Sequence, residues 1–263
     1  MRKCDAESYG EYMKILESRP GEYKELINAL AINVTEFFRN PESFRAIERT
    51  VITRVIYSKR RHKHRIIRAW SCGSSSGDEP YTIAILLLEK IGKARKDFLL
   101  TVIGSDIDDE ALSEAKKMVY GKERLKAIDE EMLEKYFEDA GKGKFRLKSL
   151  PRSLVRFRRH DIVKDRPFMR CDIILCRNVL IYFNKELQEE VLLKFYEALN
   201  PGGFLILGMV ESLVGRAINV FEHVDNRLRI FRKPEDRALA YESHGILSQE
   251  EIDRVVDEML GKE

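Results

Sequence analysis

Two adjacent acids, Asp78 and Glu79, close a loop of small residues, Ser71-Cys72-Gly73-Ser74-Ser75-Ser76-Gly77. An apolar run (Ile66, Ile67, Ala69, Trp70) leads into the loop, and Tyr81, Ile83, Ala84, Leu86, Leu87 and Leu88 follow it at helical spacing. Strand, glycine turn and helix let a backbone approach a bound cofactor closely. The loop lacks the lysine of GxxxxGK[ST] and lacks GxGxxG, which argues against a nucleoside triphosphate and a dinucleotide. Asp78 and Glu79 would repel a pyrophosphate. They suit a ligand with positive charge and no phosphate, and S-adenosylmethionine, with its ammonium and sulfonium, fits. The same acids would also serve as charges at the start of the following helix. A second run, Leu99 to Asp106, puts an acid at a strand's carboxyl end about 30 residues past the loop, where doubly wound folds bind ribose hydroxyls. Asp108 and Asp109 stand nearer the next helix and are free to cap it.

These groups need a scaffold, and the hydrophobic pattern supplies one. Strands are expected at Arg65–Trp70, Phe98–Gly104, Val155–Arg159, Asp172–Cys176 and Gly203–Leu207. Helices are expected between them at Pro80–Lys90, Asp109–Lys117 and Lys185–Leu199. This alternation implies a mostly parallel, doubly wound α/β sheet. Asn200-Pro201-Gly202-Gly203 reads as the turn before the last of these strands. Phe221–Val224 and Leu228–Arg232 read as an antiparallel hairpin. Ahead of the sheet, residues 1 to about 60 form an N-terminal helical domain, with Tyr9, Tyr12, Met13, Leu16 and then Leu26, Ile27, Leu30 at helical spacing. The sheet domain occupies 61–233. Within it, about 120–153 is longer than one crossover needs and reads as a small inserted subdomain. Residues 234–263 form a linker and a C-terminal amphipathic helix.

The bulk numbers narrow the class. With 47 basic and 44 acidic residues the formal net charge is +3, which gives no global pull toward nucleic acid or membrane. The four cysteines form no CxxC pair and no ligand set, so they read as free thiols in a reducing compartment, with no metal expected. No signal peptide and no apolar run of about 18 residues is present, so a cytoplasmic protein without membrane insertion is expected.

Four blocks occur in order: Ile32-Asn33-Val34-Thr35-Glu36-Phe37-Phe38-Arg39, Gly77-Asp78-Glu79-Pro80-Tyr81, Ser105-Asp106-Ile107-Asp108 and Cys176-Arg177-Asn178-Val179-Leu180-Ile181-Tyr182-Phe183. Together they resemble the chemotaxis receptor methyltransferases, the CheR family, from about Tyr9 to about Lys233. The resemblance implies a class I methyltransferase with a seven-stranded Rossmann-like sheet. It implies Asn33, Thr35 and Arg39 at the methionine end of S-adenosylmethionine, Gly73 in the cofactor loop, Glu79 on the amino group and Asp106 on the ribose. Through His160-Asp161-Ile162 it implies Asp161 and Ile162 beside the adenine. Arg177 and Asn178 would bind the cofactor near the sulfonium, with Tyr182 at the reaction site. Arg39 and Tyr182 are the expected catalytic pair, orienting cofactor and substrate rather than moving protons. Plainer roles stay open: an Asn/Thr helix cap, a surface arginine, and core packing for Tyr182 and Phe183. The family carries more helix ahead of Tyr9, and the inserted subdomain here is short and lysine-rich (141–148), so recognition of a receptor tail is not implied.

The implied reaction methylates glutamates of a chemoreceptor cytoplasmic domain, performed by a monomer. Two other readings remain. An RNA or small-molecule methyltransferase could grip phosphates with Lys59-Arg60-Arg61-His62-Lys63-His64-Arg65. A non-catalytic signalling adaptor could retain the cofactor fold. At the C-terminus Ser248 and Glu251 form a capping box, and Ile252, Val255, Val256, Met259 and Leu260 form one apolar stripe. Residues 245–260 resemble the peptide by which a flagellar switch protein docks on the phosphorylated response regulator, so either response-regulator docking or packing on the chain's own domain is expected there.

Overall fold

Apolar runs too short for a helix and buried on both sides become the central strands. Cys171–Cys176 is buried at every position, and Ile66–Cys72 at all but its first and third, as a parallel sheet covered on both faces requires. The structure, a computed structural model, describes residues 35–235, residues 6–19, and positions 4, 21, 22, 26 and 254. The chain divides into two compact units, Met1–Val34 and Thr35–Glu263.

In the first unit, Tyr9–Ser18 forms helix α1, capped where Glu11 N–H donates to Ser8 Oγ at 3.2 Å. The Tyr12 hydroxyl donates to Glu22 Oε1 at 2.8 Å. Leu26 is helical, whereas Ile27, Leu30 and Asn33 lie outside the described residues.

Among its described residues the second unit carries ten strands: β1 Ile66–Cys72, β2 Leu99–Asp106, β3 Val119–Gly121, β4 Phe137–Gly141, β5 Lys144–Leu147, β6 Val155–Arg159, β7 Cys171–Cys176, β8 Leu199–Leu207, β9 Glu222–Asp225 and β10 Ile230–Arg232. Seven of them form one sheet in the order β6-β2-β1-β7-β8-β10-β9. β10 runs antiparallel to both its neighbours, giving the expected hairpin, and the other pairings are parallel. Cys72 is in register with Ser105 and Cys176, and Cys176 with Leu207, so these strands end level. The winding reverses between β1 and β7, which opens a crevice at their carboxyl ends.

Alternate residues of β7 feed two cores. Ile173 and Leu175 join one with Ile83, Leu87 and Ile91 of the helix Asp78–Ile91. Ile174 and Cys176 join the other with Val191, Leu192 and Phe195 of the helix Lys185–Ala198. The helical run that begins at Pro41 passes through a π segment, Ile47–Ile52, before ending at Arg61. Its Ile47, Val51, Ile52 and Ile56 belong to the first core. The boundary near residue 60 therefore coincides with no division in the structure, because this run needs the sheet domain to bury its apolar face.

The expected turn at Asn200–Gly203 is instead inside β8, which starts at Leu199. A register shift between Cys171 and Ile173 absorbs it, with Gly202 left-handed at φ +76°. The inserted segment is a three-stranded antiparallel sheet, β3-β5-β4, with the helix Glu130–Tyr136 beside it. Cys4, Cys72, Cys171 and Cys176 are free, the last three buried. Among the described residues no helix is long and apolar enough to cross a membrane, and no group of His, Cys, Asp and Glu is arranged to hold a metal. The Lys59–Arg65 run sits at the amino end of β1. There Lys59 Nζ pairs with Asp172 at 2.7 Å, and the Arg60 and Arg65 guanidinium groups lie over the Phe98 ring.

Candidate active site

Loop backbone geometry comes first. Gly73, Ser75 and Gly77 are all left-handed (φ +68°, +44°, +90°), which turns β1 back into the helix Asp78–Ile91 within five residues. A Cβ at Gly73 would lie 2.3 Å from Val179 Cγ2. Only glycine lets the loop after β1 meet the loop after β7.

The two acids beyond the loop have different partners. Asp78 is fully buried and accepts from Arg124 Nε at 2.9 Å, with a second Arg124 nitrogen also bonded to it. The Thr35 side chain bonds Asp78 as well, and Arg124 donates to Ser76 Oγ at 2.7 Å. Burial pushes Asp78 above the ordinary carboxylate range, opposed by Arg124. Asp78 thus ties the inserted segment and Thr35 to the loop.

Glu79 faces the crevice side. Ser71 Oγ donates to its Oε1 at 2.8 Å and Arg177 Nη1 to its Oε2 at 3.3 Å. The other guanidinium nitrogen of Arg177 donates to Arg39 O at 3.0 Å and Asn40 Oδ1 at 2.8 Å, above the Phe44 ring. Burial pushes Glu79 up too, with Arg177 opposing. Arg177 Nε is buried without a hydrogen-bond partner among the described residues.

Asp106 ends β2 beside the loop. Its Oδ2 accepts from Ser75 N–H at 2.7 Å and its Oδ1 from Asp108 N–H at 3.0 Å, and burial raises its pKa. Asp108 caps the next helix, Asp109–Lys117, as its position suggests. One strand further out, Asp161 Oδ1 accepts from Val163 and Lys164 N–H and closes a turn that also holds Ile162. His160 packs edge-on against Trp70. In the loop after β7, Asn178 is left-handed at φ +60°. Tyr182 ends a 3-10 turn, Leu180–Tyr182, and is 54 % exposed, so core packing is not its role. Phe183 does pack on the second core.

The carboxyl edge of the sheet therefore gathers Gly73, Glu79, Asp106, Asp161, Ile162, Arg177, Asn178 and Tyr182, with Arg39 bound through its carbonyl. Thr35 reaches this edge through Asp78, and Asn33 lies outside the described residues. Sequence reasoning passed over Ser71, Asn40, Arg124 and Glu211. Ser71 bonds an acid eight residues on, the other three act through partners distant in the chain, and no local pattern marks any of them.

The donor set suits the expected ligand. A glycine approach, acids that burial disfavours as anions, and a loop without lysine all favour a cationic, phosphate-free molecule. With the strand order above, they define the class: an S-adenosylmethionine-dependent methyltransferase of the Rossmann-like, class I kind. Residues 33–230 match the family model described as CheR methyltransferase, SAM binding domain. The chain belongs to the CheR methyltransferase family. It is 37 % identical over 194 residues to a chemotaxis protein methyltransferase of Vibrio parahaemolyticus, covering 72 % of this chain and 68 % of that one. A protein of the same name from Borreliella burgdorferi is 30 % identical over 212 residues, covering 79 % and 75 %. One from Salmonella typhimurium is 32 % identical over 222 residues, covering 81 % and 72 %. Membership does not favour the RNA-directed or adaptor readings.

Proposed function

We propose that this chain methylates glutamate side chains on the cytoplasmic domain of a chemoreceptor, acting in the cytoplasm as a monomer. The observation that carries the reading is the network Glu79–Arg177–Arg39/Asn40 at the switch point between β1 and β7, within the matched residues. S-adenosylmethionine supplies a methyl group made electrophilic by its sulfonium. A glutamate acceptor is already an anion at neutral pH, its unperturbed pKa being about 4.3, so the chain need supply no general base.

Its residues bind and align. Glu79, held by Ser71 and Arg177, receives the cofactor's ammonium. Asp106 takes the ribose hydroxyls, and Asp161 and Ile162 flank the adenine. Asn33, Thr35 and Arg39 take the methionine end, with Gly73 allowing close approach and Arg177 and Asn178 forming the wall beside it. Arg39 and the exposed Tyr182 orient the incoming carboxylate. Alignment of this kind lowers barriers by several kcal/mol without proton transfer.

Labelled S-adenosylmethionine incubated with a receptor signalling domain tests the proposal. Base-labile label on that domain is the expected outcome, and label that survives base, or none, sinks it. Residues 245–260, outside the described residues apart from Arg254, are proposed to dock a response regulator on the strength of their capping box and apolar stripe.

A further inference from the structure

The loop after β7 is gripped by a carboxylate that no motif announces. Glu211 follows β8 and is 4 % exposed. Its Oε1 accepts the N–H of Val179 at 2.8 Å and of Leu180 at 2.7 Å. Its Oε2 accepts the N–H of Asn178 at 2.9 Å and of Gly208 at 2.6 Å. Three consecutive amides converging on one oxygen pair form the kind of nest in which backbone holds an anion. The nest lies at the start of the Leu180–Tyr182 turn, whose first amides have no partner within the turn itself. Gly208 completes the fit, since a Cβ there would lie 2.6 Å from Glu211 Oε2 and 2.9 Å from Asn178 N.

A buried carboxylate survives only when its oxygens are satisfied, and here four amides satisfy them. Those amides belong to the segment that carries the site. Arg177 precedes them and reaches Glu79, Asn178 is one of them, and Tyr182 ends the same turn. We propose that Glu211 is a positioning residue for methyl transfer: by clamping Asn178, Val179 and Leu180 to the end of β8, it sets the places of Arg177 and Tyr182. This rests on the reading of residues 177–182 as a wall of the cofactor site.

Glu211→Gln keeps the shape but exchanges one acceptor oxygen for an NH2 that faces amide donors. S-adenosylhomocysteine affinity by calorimetry is expected to fall at least about tenfold at a temperature where circular dichroism shows the variant folded. Turnover falls with it, KM for the receptor domain stays unchanged, and Glu211→Asp recovers part of both losses. Affinity and turnover within twofold of the parent would overturn the proposal. So would a loss that merely follows the unfolded fraction. The unaltered protein offers a second measurement that needs no variant. Its Asn178, Val179 and Leu180 amides are expected to be protected from hydrogen exchange before any ligand is added, and free exchange there overturns the clamp. Arg177→Lys separates the two readings: parental S-adenosylhomocysteine affinity in that variant overturns the wall assignment, and the proposal falls with it.

Discussion

Asp106, proposed to take the ribose hydroxyls, carries a folding cost. Burial raises its pKa despite two backbone hydrogen bonds. With a folded-state pKa above the unfolded one, the native state holds more protons in the window between the two values. Stability therefore drops as pH rises through that window, and the charged form at neutral pH is a net cost. Asp106→Asn is expected to leave Tm unchanged or higher while weakening S-adenosylhomocysteine binding about tenfold, read by thermal melts and calorimetry together. Protonation would cancel the attraction of Glu79 for the ammonium and weaken Asp106 as an acceptor for the ribose hydroxyls, so affinity in the parent should decline as pH is lowered through their raised values. In Asp106→Asn that decline should be shallower. The places of Glu79 and Asp106 at the end of a loop and of a strand were legible in the sequence because each falls in a recognisable pattern. The pairing of Glu79 with Arg177 was not, since the two lie 98 residues apart.

Elements depend on contacts of the same long range. Arg124, in the short turn Lys122–Leu125, reaches Asp78 across 46 residues. Arg124→Ala leaves a fully buried carboxylate without its cation, and urea unfolding should show a loss of about 3 kcal/mol. That loss should be larger at pH 8 than at pH 5, because the stranded acid is neutralised by protonation at the lower pH. Gly73→Ala adds a methyl against Val179 at a left-handed position. An expected cost of about 1–3 kcal/mol should appear in the same measurement, with weakened cofactor binding. The alternation of strands and helices followed from hydrophobic period, whereas the strand order is seen only in the pairing. The β8 irregularity did not, since Pro-Gly-Gly serves equally as a turn or as a bulge and only pairing with β7 decides.

For the whole molecule, charge placement matters more than charge balance. In the basic run 59–65, at the amino end of the sheet, Lys59 pairs with Asp172 and Arg60 and Arg65 lie over Phe98, while Glu79 and Asp106 stand at the carboxyl end. Deleting residues 245–263 is expected to abolish response-regulator binding in a pull-down and to leave receptor methylation unchanged, since the matched domain ends at residue 230. The domain boundary was the least legible feature, because the 41–61 helical run has its own amphipathic pattern and only packing reveals that its apolar side belongs to the sheet. The buried cysteines give the sheet a built-in clock. Cys72 and Cys176 are register partners at its centre, and burial pushes Cys171 up to about 12 and Cys176 well above the usual thiol range. At Cys171 and Cys176 an alkylating reagent meets a reactive thiolate only when the strands part. Modification rate thus counts openings of the core, and a saturating methyl donor should slow it in proportion to 1 + [L]/Kd, reporting cofactor affinity without any turnover at all.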